Sequence, residues 1–172
     1  MKSEMPEKIG GVNHIVEIDE SLFSKRKYNV GRIVRTVWVV GGIDMTTGHT
    51  FFTETLFRTK EALNQIILRY VKIGTTIYTN GWAGYNDLTS LGYIHLRVNH
   101  KLNFVDPITG VNTQVIEGMW SVFKRKLRAR GITNRENIVL IFAEFLLKSK
   151  FKELTFQKIL ENNNDSLRKI DF

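Results

Sequence analysis

Cysteine is absent from this chain. Its absence excludes a disulfide scaffold, a cysteine-based zinc finger and a thiol nucleophile, and accords with a reducing compartment. Long apolar runs are lacking too. The most apolar segment, Ile138 to Leu147, is interrupted by Glu144. It is half the ~20 residues a membrane span needs and reads as a buried helix. Met1 to Lys8 is polar with no apolar stretch behind it, so no signal peptide is expected. The chain is expected to be soluble and intracellular, nuclear in a eukaryote or cytoplasmic in a bacterium. His14, His49, His95 and His100 show no ligand spacing, which favours structural roles over a zinc site. No glycine-rich phosphate loop occurs; Gly41-Gly42 is a lone pair inside a strand-like run. No Ser-His-Asp arrangement follows from spacing, no internal repeat is visible, and no small-molecule cofactor is implied.

The 172 residues fit one domain with a genuine core, supplied by 42% apolar residues that include 11 Phe and 3 Trp. The net charge of +8 favours nucleic acid or another polyanion through counterion release. Charge alone equally describes a soluble basic protein. The cations are clustered. Lys25, Arg26, Lys27, Arg32 and Arg35 occupy a basic loop or irregular hairpin over Ser21 to Arg35, and Lys124, Arg125, Lys126, Arg128 and Arg130 form a dense run later on.

Residues 1–11 read as a flexible lead-in, 12–155 as the folded domain and 156–172 as a tail with one short helix that frays through Asn162-Asn163-Asn164. Val12 to Asp19 reads as a strand. Thr36 to Ile43 and His49 to Phe57 form a hairpin around the turn Asp44 to Gly48. Thr59 caps a helix from Lys60, with Leu63, Ile66, Ile67 and Tyr70 on its apolar face. Thr75 to Thr79 is a fourth strand, Trp82 to Leu91 a helix stopped by Gly92, and Tyr93 to Val98 a fifth strand. A loop over Asn99 to Asn112 precedes helices over 113–130 and 134–150. This order, a three-strand meander and then alternating helix and strand, predicts a mixed five-stranded α/β sheet covered by helices.

In such sheets functional groups gather beyond the carboxyl ends of the strands. Asp19 and Asn80 each end an apolar, strand-like run. Glu117 flanks the stripe Ile116, Trp120, Phe123 and Leu127 of the 113–130 helix. Lys124 follows nearly two turns later on the same face, roughly 10 Å along the axis. An acid, a polar oxygen and a helix-borne Glu, once gathered, can hold divalent metal for phosphoryl transfer, with the lysine on a phosphate. Two-metal chemistry needs several carboxylates, and Asn80 offers only a neutral oxygen. Taken one at a time, Glu117 also reads as a solvated helix residue, Asp19 as a turn residue, and Asn80-Gly81 as a hairpin turn. The run Lys124 to Arg130 also reads as a solvated helix end favoured by the helix dipole.

A set of ordered segments resembles a known family. They are Val16-Glu17-Ile18-Asp19-Glu20-Ser21, Lys25-Arg26-Lys27-Tyr28-Asn29, Trp38-Val39-Val40-Gly41-Gly42-Ile43, Gly74-Thr75-Thr76-Ile77, Gly92-Tyr93, Val98-Asn99-His100, Phe104-Val105-Asp106-Pro107-Ile108-Thr109-Gly110 and Ile116-Glu117-Gly118-Met119-Trp120. In this order they look like the catalytic domain of Merlin-type transposases and their bacterial insertion-sequence relatives, over roughly residues 12–150. The resemblance implies an RNase H-like fold, a DDE-type active site that uses Mg²⁺ or Mn²⁺, and DNA as the partner in strand cleavage and transfer. Asp19 falls on the first catalytic Asp and Glu117 on the final acid. Lys124 falls near a lysine that some relatives carry. Asn80 stands where the family has its second Asp. The family's usual N-terminal DNA-binding module has no counterpart in the resemblance, which therefore implies DNA chemistry without recognition of transposon ends.

Three expectations follow. The first is a transposase-derived DNA-binding domain whose cleavage chemistry and metal binding are weakened at Asn80. The second is an active metal-dependent nuclease or transposase that tolerates Asn80. The third is a non-enzymatic module that self-associates, as a homodimer, through the apolar helix 134–150.

Overall fold

Side chains along Ile15–Phe23 alternate between two apolar layers. Val16 and Ile18 join one, and Phe23 joins the other. Such two-sided burial requires an extended chain at the centre of a sheet. The structure is a computed structural model that describes residues 7–23, 37–99, 105–131 and 138–148. Ile15–Phe23 is its central strand β1. It is followed by β2 (Val37–Asp44), β3 (Thr50–Thr55), α1 (Lys60–Tyr70), β4 (Thr76–Asn80), a 3-10 turn (Ala83–Tyr85), β5 (Ile94–Val98), α2 (Gln114–Ala129) and α3 (138–148).

The sheet order is β3-β2-β1-β4-β5. β1, β2 and β3 form an antiparallel meander, and β4 and β5 lie parallel to β1. This is the expected RNase H-like α/β fold, with helices on both faces. On one face Leu63 and Ile67 of α1 pack on Val16, Ile18, Val40 and Ile77. On the other, Ile116, Trp120, Phe123 and Leu127 of α2 pack with Phe23, Val39 and the α3 residues Ile138, Ile141 and Phe142. Each such aliphatic side chain contributes about 1.5–3 kcal/mol when fully buried. Among the described residues no helix is long and apolar enough to cross a membrane.

Several element boundaries match the sequence reading. Thr59 caps α1, its hydroxyl oxygen accepting from the Ala62 N–H at 3.3 Å. Two expectations are corrected. The first strand starts later and runs further than Val12 to Asp19. Asn13 takes a positive φ of 66° in a turn closed by His14 N–H to Gly11 carbonyl. Beyond Asp19 the chain stays extended because Glu20 through Phe23 keep pairing with β2 and Phe23 is buried. Asp19 is therefore inside β1, not at its end. Nor is Trp82 to Leu91 an α-helix. Its helical geometry stops at the 3-10 turn, and a Cβ on Gly84 would lie 2.1 Å from the Trp82 ring that folds back over it. The expected tail helix lies outside the described residues. Helix 134–150 is described over 138–148, where Val139, Leu140 and Leu147 are exposed.

Candidate functional site

The β-pleat determines which way Asp19 points. Val16 and Ile18 face α1, so Glu17 and Asp19 face α2. β4 pairs with β1 over Ile15 to Glu17, and the same register carries Asn80, the last residue of β4, alongside Asp19. Their side chains meet: Asn80 Nδ2 donates to Asp19 Oδ1 at 3.1 Å. Asp19 Oδ2 accepts from the Trp120 indole Nε1–H at 3.0 Å. Asn80 Oδ1 accepts from the Trp82 backbone N–H at 3.0 Å.

The Trp120 ring reaches Asp19 across a gap in β2. Asp19 pairs with Gly41 in the β1–β2 ladder. A Cβ on Gly41 would lie 2.6 Å from the Trp120 ring, so only glycine leaves room for the indole.

Glu117 stands one turn before Trp120 in the first turn of α2, where a carboxylate is favoured by the helix dipole. The Thr113 hydroxyl donates to its Oε1 at 2.7 Å. The start of α2 is tied to the sheet by Glu17, whose buried Oε2 accepts from the Ile116 N–H at 2.9 Å. Burial raises the Glu17 carboxyl above its usual range. Asp19 is pushed up to about 7, first by burial and then by the charges of Glu20 and Glu117. Asp19 and Asn80 thus meet directly, and Glu117, on a third element, bears on Asp19 through its charge. Lys124 lies along α2, with its ammonium 5.5 Å from the Phe23 ring centre.

Sequence reasoning passed over several contributors. In sequence Trp120 reads as part of the core stripe, Gly41 as half of a lone glycine pair, and Glu17 as a residue of an ordinary strand. Each carried a signal: an acid inside an apolar strand, and a glycine where a strand needs a side chain. On the opposite face of β1, buried Glu20 accepts from Arg58 and from the Tyr85 hydroxyl. Arg58 stacks between the Trp82 and Trp38 rings, 4.0 and 5.0 Å from their centres. This assembly braces the chain immediately after Asn80. Two other acids, Asp44 and Asp106, make their contacts elsewhere. Asp44 binds His14 and the N–H groups of Gly10, Thr46 and Thr47. Asp106 shapes its own loop through Ile108 and Thr109.

Of the predicted cations on α2, Arg125 and Arg128 are exposed, and Lys124 and Lys126 are partly buried. Arg130 is engaged by Glu144 at 2.8 Å. Lys124 and Arg128 each fall within about 20° of Glu117 around the helix, on opposite sides of it. Lys25, Arg26, Lys27, Arg32 and Arg35 lie outside the described residues.

A pair of divalent ions about 4 Å apart requires several anionic oxygens. Here the amide of Asn80 turns its nitrogen, a donor, toward Asp19 and spends its oxygen on Trp82. Among the described residues no group of three or more acidic or histidine side chains is gathered for a metal. As it stands, this donor set does not fit a pair of divalent ions.

Comparison with known proteins gives a family match over residues 10–134, to the model described as the ISXO2-like transposase domain. No curated protein is significantly similar to the chain. Among solved structures, the chain is similar to the simian T-cell lymphotropic virus intasome in complex with PP2A regulatory subunit B56 gamma. That likeness has 17% identity and a TM-score of 0.47, over 80% of this chain and 51% of that one. The chain thus spans about half the length of this relative. It is also similar to the HTLV-2 integrase catalytic core domain in complex with magnesium, in its dimeric form. Here the identity is 16% and the TM-score 0.42, over 69% of this chain and 72% of that one.

Proposed function

Because the chain belongs to the family of ISXO2-like transposase domains, we propose that it is a DNA-binding domain of the DDE type whose strand-cleavage chemistry is disabled at one position. The observation that carries this reading is the meeting of Asp19 with Asn80 beside the first turn of α2, which bears Glu117. In this reading Asp19, Asn80 and Glu117 take the places of a DDE site's three acids, and the middle one is neutral.

In this reading the exposed Arg125 and Arg128, with Lys124 behind Glu117, hold the phosphate backbone of DNA along α2. Asp19 and Glu117 supply the negative charge at the pocket. Asn80 supplies none, and Mg²⁺ or Mn²⁺ binding at the pocket is correspondingly weak. DNA is the partner, and its recognition by this domain rests on phosphate charge.

The deciding experiment is nicking of supercoiled plasmid with Mg²⁺ or Mn²⁺. Wild type is expected to leave the plasmid intact. Asn80→Asp is expected to nick it at a rate at least about tenfold higher, a difference worth about 1.4 kcal/mol of barrier. Glu117→Gln added to Asn80→Asp is expected to abolish that gain. Wild-type nicking at a rate matching Asn80→Asp would overturn the reading in favour of an active nuclease that tolerates Asn80.

A further inference from the structure

We propose that the Asn80 amide takes the place of a cation beside Asp19, so that the pocket is latched by hydrogen bonds and assembles without divalent metal. The proposal rests on the reading of this pocket as a DDE-type site and deepens it.

The orientation of the amide is the first support. The Trp82 backbone N–H can only donate, so the atom it faces at 3.0 Å is the amide oxygen. The nitrogen is then the atom 3.1 Å from Asp19 Oδ1. Asp19 Oδ2 is filled from the other side by Trp120 Nε1–H. Each oxygen of this partly buried carboxylate thus accepts from a neutral donor, one at the end of β4 and one on α2. A single chain of hydrogen bonds runs from Trp82 through Asn80 and Asp19 to Trp120. It closes the pocket across three elements.

A carboxylate at position 80 would keep the bond to Trp82. Its second oxygen, however, would face Asp19 Oδ1 as a second acid with no N–H to donate. The hydrogen bond would become a repulsion, or the pair would have to take up a proton that ionised Asp19 does not need beside Asn80. A metal ion between the two acids would relieve either cost. Exchanging the two residues has a different outcome. An amide at position 19 can accept from Trp120 and donate to a carboxylate at position 80, which accepts from Trp82 with its other oxygen. Every bond of the latch is restored with the charge on the opposite side.

Thermal unfolding at about pH 8, where free carboxylates are ionised, tests this with no DNA present. Wild type is expected to melt at the same temperature in EDTA and in millimolar Mg²⁺. Asn80→Asp should melt about 4–10 °C lower in EDTA and regain most of that loss in Mg²⁺. The double exchange, Asp19→Asn with Asn80→Asp, should match wild type in EDTA and ignore Mg²⁺. If Asn80→Asp fails to fold in EDTA while the double exchange folds, the latch stands. Three results would overturn it: wild type stabilised by Mg²⁺ as strongly as Asn80→Asp, Asn80→Asp as stable as wild type in EDTA, or a double exchange no better than Asn80→Asp. Loss of DNA binding or of plasmid nicking leaves this melting pattern untouched, so the failure of the latch and the failure of the functional reading are separable.

Discussion

Gly41 shows how one residue governs the pocket. Its missing side chain is the space that the Trp120 indole fills, and from there the indole donates to Asp19. Gly41→Ala would place a Cβ 2.6 Å from that ring and 2.8 Å from the Phe52 ring. Both rings belong to the core beneath α2, so neither moves cheaply. The substitution is expected to cost about 1–3 kcal/mol through overpacking, measured by urea unfolding. It should also shift the Trp120 indole N–H resonance as the bond to Asp19 is lost. An unshifted resonance would show that the indole does not depend on this gap. From sequence, Asp19, Asn80 and Glu117 were each legible as candidates because acids and amides next to apolar runs stand out. Trp120 and Gly41 were not, because a tryptophan in a helical stripe and a glycine in a strand have ordinary roles until their proximity is known.

At the scale of elements, β4 and β5 are joined beneath the pocket by the Thr79 hydroxyl and His95 Nε2, 2.8 Å apart. Burial, and then the charge of Arg97, lower His95 from 6.5 to about 4. Between those values the unfolded chain binds the proton and the folded chain does not. This contribution to stability is therefore complete above about pH 6.5 and is lost as pH falls toward 4. His95→Gln retains a donor but does not titrate. The melting-temperature advantage of wild type over this variant is expected to shrink steadily from pH 7 to pH 4. A difference that stays flat across the window would contradict a neutral, buried His95. The elements themselves were largely readable in advance. β2, β3, α1 and α2 announced themselves by β-branched alternation, by the Thr59 cap and by helical spacing. The first strand reads as ending at Asp19 because Ser21, Leu22 and Phe23 open a stretch that reads as a basic loop or irregular hairpin until the ladder with Val37 to Val39 is seen. The segment after Asn80 has helical composition, but the packing of Trp82 over Gly84 and against Tyr85 stops the helix.

For the whole molecule, the outstanding property is an excess of positive charge, +8 over 172 residues, part of it exposed on α2. Binding to duplex DNA, followed by fluorescence anisotropy, is expected to weaken steeply with salt, with a log–log slope of about −0.9 for each phosphate contacted. Arg125→Gln with Arg128→Gln should reduce the magnitude of that slope by about 1–2 and weaken binding equally for different sequences. A slope unchanged by the double substitution would remove α2 from the interface. Composition and pattern were sufficient for the class of fold, because alternation and helical spacing are local and the crossover order leaves few topologies. They also sufficed for the family resemblance, since it is written in residue identity. Tertiary structure alone decided that β1 carries Asp19 past the end of its pairing with β4 and so beside Asn80, and that Trp120 reaches Asp19 over Gly41. It also decided that the amide of Asn80 turns its nitrogen inward. The physical reason is that hydrogen bonds between residues 61 and 101 positions apart depend on register and orientation across elements, which no local pattern encodes.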